Sequence, residues 1–120
     1  MNRFSFIFLF LSSLAYSQTI INADEFKKID GIVLIEFWAD WNKSNECKWV
    51  KNINGIDSYR MTICSSVAKD LDIKVIPTLV LYDKKQPVGI WEADISFTLS
   101  DQIEENVQEA INKLKNSKKL

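Results

Sequence analysis

Histidine is absent from this sequence. That absence removes the usual general base of serine and cysteine hydrolases and the commonest zinc ligand. Cysteine is scarce: Cys47 and Cys64 alone are too few for a structural zinc site and permit a single intramolecular bridge. No metal and no cofactor is therefore expected. A basic excess is also missing. Fifteen Lys and Arg stand against 16 Asp and Glu, which leaves nothing to neutralise a phosphate backbone, so nucleic acid is excluded as an expected partner. Gly and Pro number only three and two, too few for a disordered or low-complexity chain. With 47% apolar residues the 120-residue chain has the material for one packed domain.

The sequence has no apolar run of the about 20 residues that a membrane span requires. Its longest, Phe4–Ala15, follows Arg3 and ends in Ala15-Tyr16-Ser17, with small residues at the positions that precede a cleavage point. This layout predicts a signal peptide over residues 1–17, cleaved before Gln18, rather than a membrane anchor. Residues 18–120 would then form the domain, exported to a periplasmic or extracellular space with no stable membrane span. Such a space is oxidising, where a well-placed pair of cysteines closes.

Along the remaining chain, Gln18–Ile21 reads as a short strand. Asn22 and Glu25 form a capping box for a helix that buries Phe26 and Ile29 and stops at Gly31. Ile32–Trp38 is almost wholly apolar, as suits a central strand covered on both faces. Ser44 to Gly55 reads as a helix capped by Ser44. Asp57–Cys64 is a strand, and Ser65–Asp72 a short helix after a serine cap. Val75–Tyr82 is an apolar strand entered through Pro77, and a polar turn leads to an antiparallel partner over Val88–Ala93. Last comes a helix capped by Ser100, acidic at its start and lysine-rich at its end, with Ile103, Val107, Ala110, Ile111 and Leu114 on one stripe. Strands alternating with helices predict an α/β fold with parallel pairs, helices on both faces, and one antiparallel strand added by the final hairpin.

This order resembles the thioredoxin family on two segments in particular. "VLIEFWADW", Val33–Trp41, is similar to that family's strand and the aromatic turn before its redox motif. "VIPTLVLY", Val75–Tyr82, is similar to its Ile-Pro-Thr loop and following strand. The resemblance covers Thr19 to about Leu114. It implies a thioredoxin-like fold, a mixed central sheet with helices on both faces, and a cis Pro77 whose loop offers a backbone edge to an extended peptide.

The motif itself departs from the family. Where the family has cysteine after the second tryptophan and again three residues later, this chain has Asn42 and Asn45. An alternative alignment with two extra residues puts Cys47-Lys48 on the second cysteine and its lysine, but still leaves Asn42 at the attacking position. Dithiol turnover needs an attacking thiolate and a resolving thiol, and an amide is neither. Glu36 occupies the place of the family's buried acid. Without a dithiol it reads as a polar strand residue facing a gap or water.

Two functions follow as expectations. One is a redox-inactive or redox-crippled binding module, holding a protein or extended peptide on a rim made by Trp41, Asn42, Asn45, Ile76, Pro77 and Thr78. The other is a thiol-disulfide enzyme in which Cys47 and Cys64 are catalytic. Cys47 would sit in the first turn of its helix, where amides stabilise a thiolate and Glu46 opposes it. In a thioredoxin-like sheet Cys64 ends at the same rim, so a Cys47–Cys64 disulfide is expected to form if the Cα atoms come within about 7 Å. Trp38, Trp49 and Trp91 are expected in the core or at its margin, and Trp41 at the surface.

Overall fold

The structure, a computed structural model, describes residues 18–118. The leader expected over residues 1–17 lies outside the described residues. Five strands and three α-helices follow in the order β1 (Thr19–Ile20), α1 (Ala23–Lys28), β2 (Ile32–Trp38), two short 3-10 helices (Asp40–Asn45 and Lys48–Asn52), β3 (Asp57–Thr62), α2 (Ser66–Asp70), β4 (Thr78–Asp83), β5 (Gln86–Glu92) and α3 (Gln102–Lys118). They build one sheet with strand order β1-β3-β2-β4-β5. Among the described residues no helix is long and apolar enough to cross a membrane.

The local signals in the sequence set the element ends. The Asn22 side chain accepts from the Glu25 N–H at 2.8 Å, and the Glu25 carboxylate accepts from the Asn22 N–H at 3.2 Å, the reciprocal capping box. Ser65 caps α2 through the Ala68 N–H, and Ser100 accepts from the Gln102 N–H at the start of α3. Alternation along β2 then divides the core. Leu34 faces one layer with Leu79, Leu81, Trp49, Val50 and the α3 stripe centred on Val107 and Ile111. Val33, Ile35 and Phe37 face the other, with Phe26 of α1, Met61, Ala68 of α2 and Tyr82. Helices thus cover both faces, as the apolar run of β2 requires.

Sheet polarity differs from the alternation rule. β1, β3 and β2 run parallel, but β4 pairs with β2 antiparallel, one strand earlier than expected. The five residues of α2 rise only about 7 Å, too little to carry the chain back along a six-residue strand of about 20 Å. β4 therefore starts at the rim where β3 ended: Thr62 and Thr78 lie opposite Trp38 and Phe37 at the end of β2. The Ile76–Pro77 bond at that entry is cis, as the resemblance implies.

A second correction concerns the helix expected from Ser44 to Gly55. The two 3-10 helices replace it. Glu46 and Cys47 between them are extended, with ψ of 149° and 102°, and Ser44 caps nothing. The backbone amide of Cys47 donates to Glu36 of β2 at 2.8 Å instead of joining a helical ladder. Asparagines at 42 and 45 form side-chain bonds that compete with helix in the same stretch.

The sheet margins are irregular. β1 has two residues. β5 begins Gln86-Pro87 and has a register shift opposite Leu81 and Tyr82. The β4–β5 turn puts Lys84 and Lys85 at φ of +51° and +69°. Left-handed backbone costs a side-chain-bearing residue about 1 kcal/mol or more, and two-residue hairpin turns of this kind favour Asn-Gly. Replacing Lys84-Lys85 by Asn-Gly is expected to raise unfolding stability by about 0.5–1 kcal/mol. The check is a higher urea midpoint at unchanged slope; an unchanged or lower midpoint contradicts the turn assignment.

Candidate functional site

The rim at the carboxyl end of β2 gathers the first 3-10 helix, the Val75–Thr78 loop and the 93–99 loop between β5 and α3. Asn42 is the residue that joins them. Only 6% exposed, it donates from Nδ2 to the Ile76 carbonyl at 3.2 Å and to the Phe97 carbonyl at 3.1 Å. Its Oδ1 accepts from Asn45 Nδ2 at 2.7 Å. The position expected to carry a nucleophile instead holds a crosslink between three chain segments. An asparagine amide suits this task because it offers two donors and an acceptor on one short planar group.

That crosslink changes which predicted residues face outward. Ile76, Pro77 and Thr78 are buried, and on the loop expected to offer a backbone edge to an extended peptide the Ile76 carbonyl already accepts from Asn42. Thr78 donates to the Val75 carbonyl at 2.7 Å, and the Pro77 carbonyl accepts from Ala93 at 3.1 Å. Of the six rim residues, Trp41 is exposed, at 68%, and Asn45 half-buried. Trp41 stands edge-on to Phe97 with ring centroids 5.4 Å apart. Phe97 is itself 42% exposed, at φ of +61°, a left-handed conformation rare for a bulky residue. Asp94 braces its loop by accepting from the Ser96 amide at 2.9 Å, from the Ser96 hydroxyl and from Thr98. The Ser96 hydroxyl and amide hold the Asp94 carboxyl below its usual range.

Beneath the rim lies a buried charged group. Glu36 has no exposed surface; its Oε2 accepts the Cys47 amide, and its Oε1 stands 4.0 Å from Arg60 Nε. Glu36 and Arg60 are register partners on β2 and β3, on the same face. Arg60 Nη1 meets Glu46 at 2.7 Å, and its guanidinium stacks 4.3 Å from the Trp38 ring. Burial pushes the Glu36 carboxyl up to about 7, against the opposing pull of the Cys47 N–H and of Arg60. Glu36 is therefore a buried titrating group rather than a strand residue facing a gap.

The two cysteines are both free thiols, so the expected bridge is not formed. Cys47 packs into the core with Leu34, Leu79 and Leu81, and burial, then the charge of Glu36, push its thiol far above the ordinary range. Cys64 is exposed on the turn after β3, in a cleft with Ile21, Asn22 and Ala23 at the start of α1. The extended Glu46–Cys47 segment accounts for the separation, because it turns Cys47 into the core instead of leaving it on a rim helix. Among the described residues no group of three or more His, Cys, Asp or Glu could hold a metal ion.

Sequence reasoning missed Arg60 and Phe97, and gave Glu46 a role beside Cys47 but not its ion pair with Arg60. Arg60 had a signal, since a charged residue inside the strand "DSYRMT" must find a counter-charge, and Glu36 is the one in the adjoining strand. Phe97 had none; its importance comes from a carbonyl that meets Asn42 across 55 positions.

No family model and no curated protein matches this chain. Solved structures do. Thioredoxin from Malassezia sympodialis is 22% identical over 81% of this chain and 90% of its own, with a TM-score of 0.58. A mutant thioredoxin from Halobacterium salinarum is 16% identical over 77% and 88%, with a TM-score of 0.59. A chain from a study of thiol resolving in yeast mitochondrial 1-Cys peroxiredoxin, through glutathione and thioredoxin systems, is 22% identical over 63% and 83%, with a TM-score of 0.50. These likenesses establish a thioredoxin fold for this chain.

Two expected outcomes test the site. Asn42→Ala leaves the buried Ile76 carbonyl without a partner and is expected to destabilise by about 2–3 kcal/mol; a loss below about 0.5 kcal/mol by denaturant titration contradicts the crosslink. Glu36 tests linkage. Its carboxyl ionises near 4.5 when unfolded and near 7 when folded. The stability it adds is complete below pH 4.5, falls as pH rises toward 7, and is absent above that. Unfolding free energy of the wild type relative to Glu36→Gln should fall by about 3 kcal/mol across that window. A flat difference from pH 4.5 to 8 would rule out a raised carboxyl.

Proposed function

We propose that this thioredoxin-fold chain is an exported binding module without dithiol turnover, which docks a protein or extended peptide on the Trp41–Phe97 rim. The observation that carries the reading is Asn42, buried and hydrogen-bonded on all sides at the position of an attacking thiol. Cys47 supports it, since a buried thiol held in its neutral form is a poor nucleophile. The apolar run Phe4–Ala15 supports export.

The surface points the same way. Trp41, Phe97 and Ile95 are large apolar side chains left in solvent, Ile95 fully so, and Phe97 and Ile95 lie on one short loop braced by Asp94. Tryptophan and phenylalanine on a rigid support are suited to anchor a partner, because burying them brings much apolar area at little entropy cost. The partner meets these rings and Asn45. It does not extend the sheet through Ile76, whose carbonyl is occupied. Asn42, Ile76, Pro77 and Thr78 act as the buried support of the rim.

Two measurements test the two halves. Reduction of a disulfide substrate is expected at background rate and unchanged by Cys47→Ser; turnover that Cys47→Ser abolishes would restore the enzyme reading. In a displayed library of extended peptides, selected binders are expected to lose at least about tenfold in affinity on Trp41→Ala or Phe97→Gly. Glycine at 97 also relieves the positive φ, so stability should hold or rise while affinity drops. Binders indifferent to both substitutions would sink the docking site.

A further inference from the structure

A second concave surface lies below the rim. It is a cleft of about 440 Å³ whose walls include Gln18, Lys43, Glu46, Cys47, Lys48 and Arg60. That volume is in the range of small-molecule sites. Lys43, Lys48, Lys51 and Arg60 outweigh Glu46 there by three positive charges, on a chain with formal net charge −1. Cations held together in a concave surface focus the field on an anion.

Arg60 makes the cleft more than a lysine-lined surface. Its side chain is 7% exposed and its guanidinium is fixed by the Trp38 ring. One end meets Glu46, but Nε and Nη2 have no hydrogen-bond partner among the described residues; Glu36 Oε1, 4.0 Å from Nε, lies beyond bonding reach. Buried donors without acceptors are costly, and a guanidinium fork is shaped for two oxygens of one oxyanion. Glu46 is 41% exposed and can turn outward without being drawn from a core position. Lys43 and Lys48 lie on the two 3-10 helices that flank Glu46.

We propose that this cleft binds a small dianionic ligand bearing a phosphate or sulfate group, with Arg60 as buried anchor and Lys43 and Lys48 as outer cations. A dianion offsets most of the local excess of three charges; a monoanion leaves most of it uncompensated. Glu46 is the internal competitor that occupies Arg60 when no ligand is bound.

The test is amide chemical-shift titration of the full chain with inorganic phosphate, sulfate, a phosphate monoester and acetate, at fixed ionic strength because screening alone moves such shifts. The dianions are expected to saturate shifts at residues 43–48 and Arg60, and acetate to bind at least about tenfold more weakly. The monoester binding more tightly than inorganic phosphate would place the ligand among esters, and the reverse order among free anions; either supports the site. Because Arg60 variants would disturb the core, the decisive variant is Lys43→Ala with Lys48→Ala, expected to weaken sulfate about tenfold. Glu46→Gln is expected to tighten it by roughly threefold or more. Trp41→Ala should leave it unchanged, which separates this cleft from the aromatic rim. Equal binding of acetate, absence of saturation, or a double-lysine variant with wild-type affinity overturns the proposal.

Discussion

One side-chain amide organises the functional end of this molecule. Asn42 reaches the carbonyls of Ile76 and Phe97, in two segments that approach each other nowhere in sequence. A thiol at that position has one weak donor and could not hold both. An amide here therefore does more than leave the position without a nucleophile. It fastens the Val75–Thr78 loop to the 93–99 loop, on which Phe97 has a left-handed backbone and stands against the Trp41 ring. The rim is a fixed surface because its centre is a hydrogen-bonded joint.

The layer below has the opposite character. Glu36, Arg60, Glu46 and the Cys47 amide form a chain of charged contacts in which several atoms lack hydrogen-bond partners among the described residues: Glu36 Oε1, Arg60 Nε and Nη2, and the Trp38 indole N–H. Low dielectric makes the satisfied contacts strong and the unsatisfied ones costly at once. Removing one member of such a group leaves a buried charge uncompensated. The same contacts disfavour a thiolate at Cys47. The carboxylate that holds its backbone also raises the cost of a thiolate beside it.

Much of the frame was legible in the sequence because its signals are local or periodic. Asn22 with Glu25, the serine caps, the apolar run of β2 and the α3 stripe each specify an element within a few residues. The cis bond at Pro77 was legible only through the Ile-Pro-Thr resemblance. Where sequence reading failed, distant partners decided. The 44–55 segment has acceptable helix spacing, yet its Cys47 amide finds Glu36, its Asn54 amide finds Gln108 and its Asn45 carboxamide finds Asn42. The polarity of β4 was missed for a geometric reason, since alternation of strand and helix implies a crossover only when the helix is long enough to return the chain. The expectation that Cys47 and Cys64 meet failed with the helix it assumed.

The irregular margins of the sheet bear on how this protein behaves in concentrated solution. Val88 and Ile90 leave apolar surface on the outermost strand, at 52% and 48% exposure. A straight strand with that surface would template stacking of one molecule on the next. Pro87 has no N–H to contribute, and the register shift beside it twists the ladder out of line. At the opposite border, two residues are too short a rail for another chain to zip onto. Both flanks are thereby defended against fibrillar self-association.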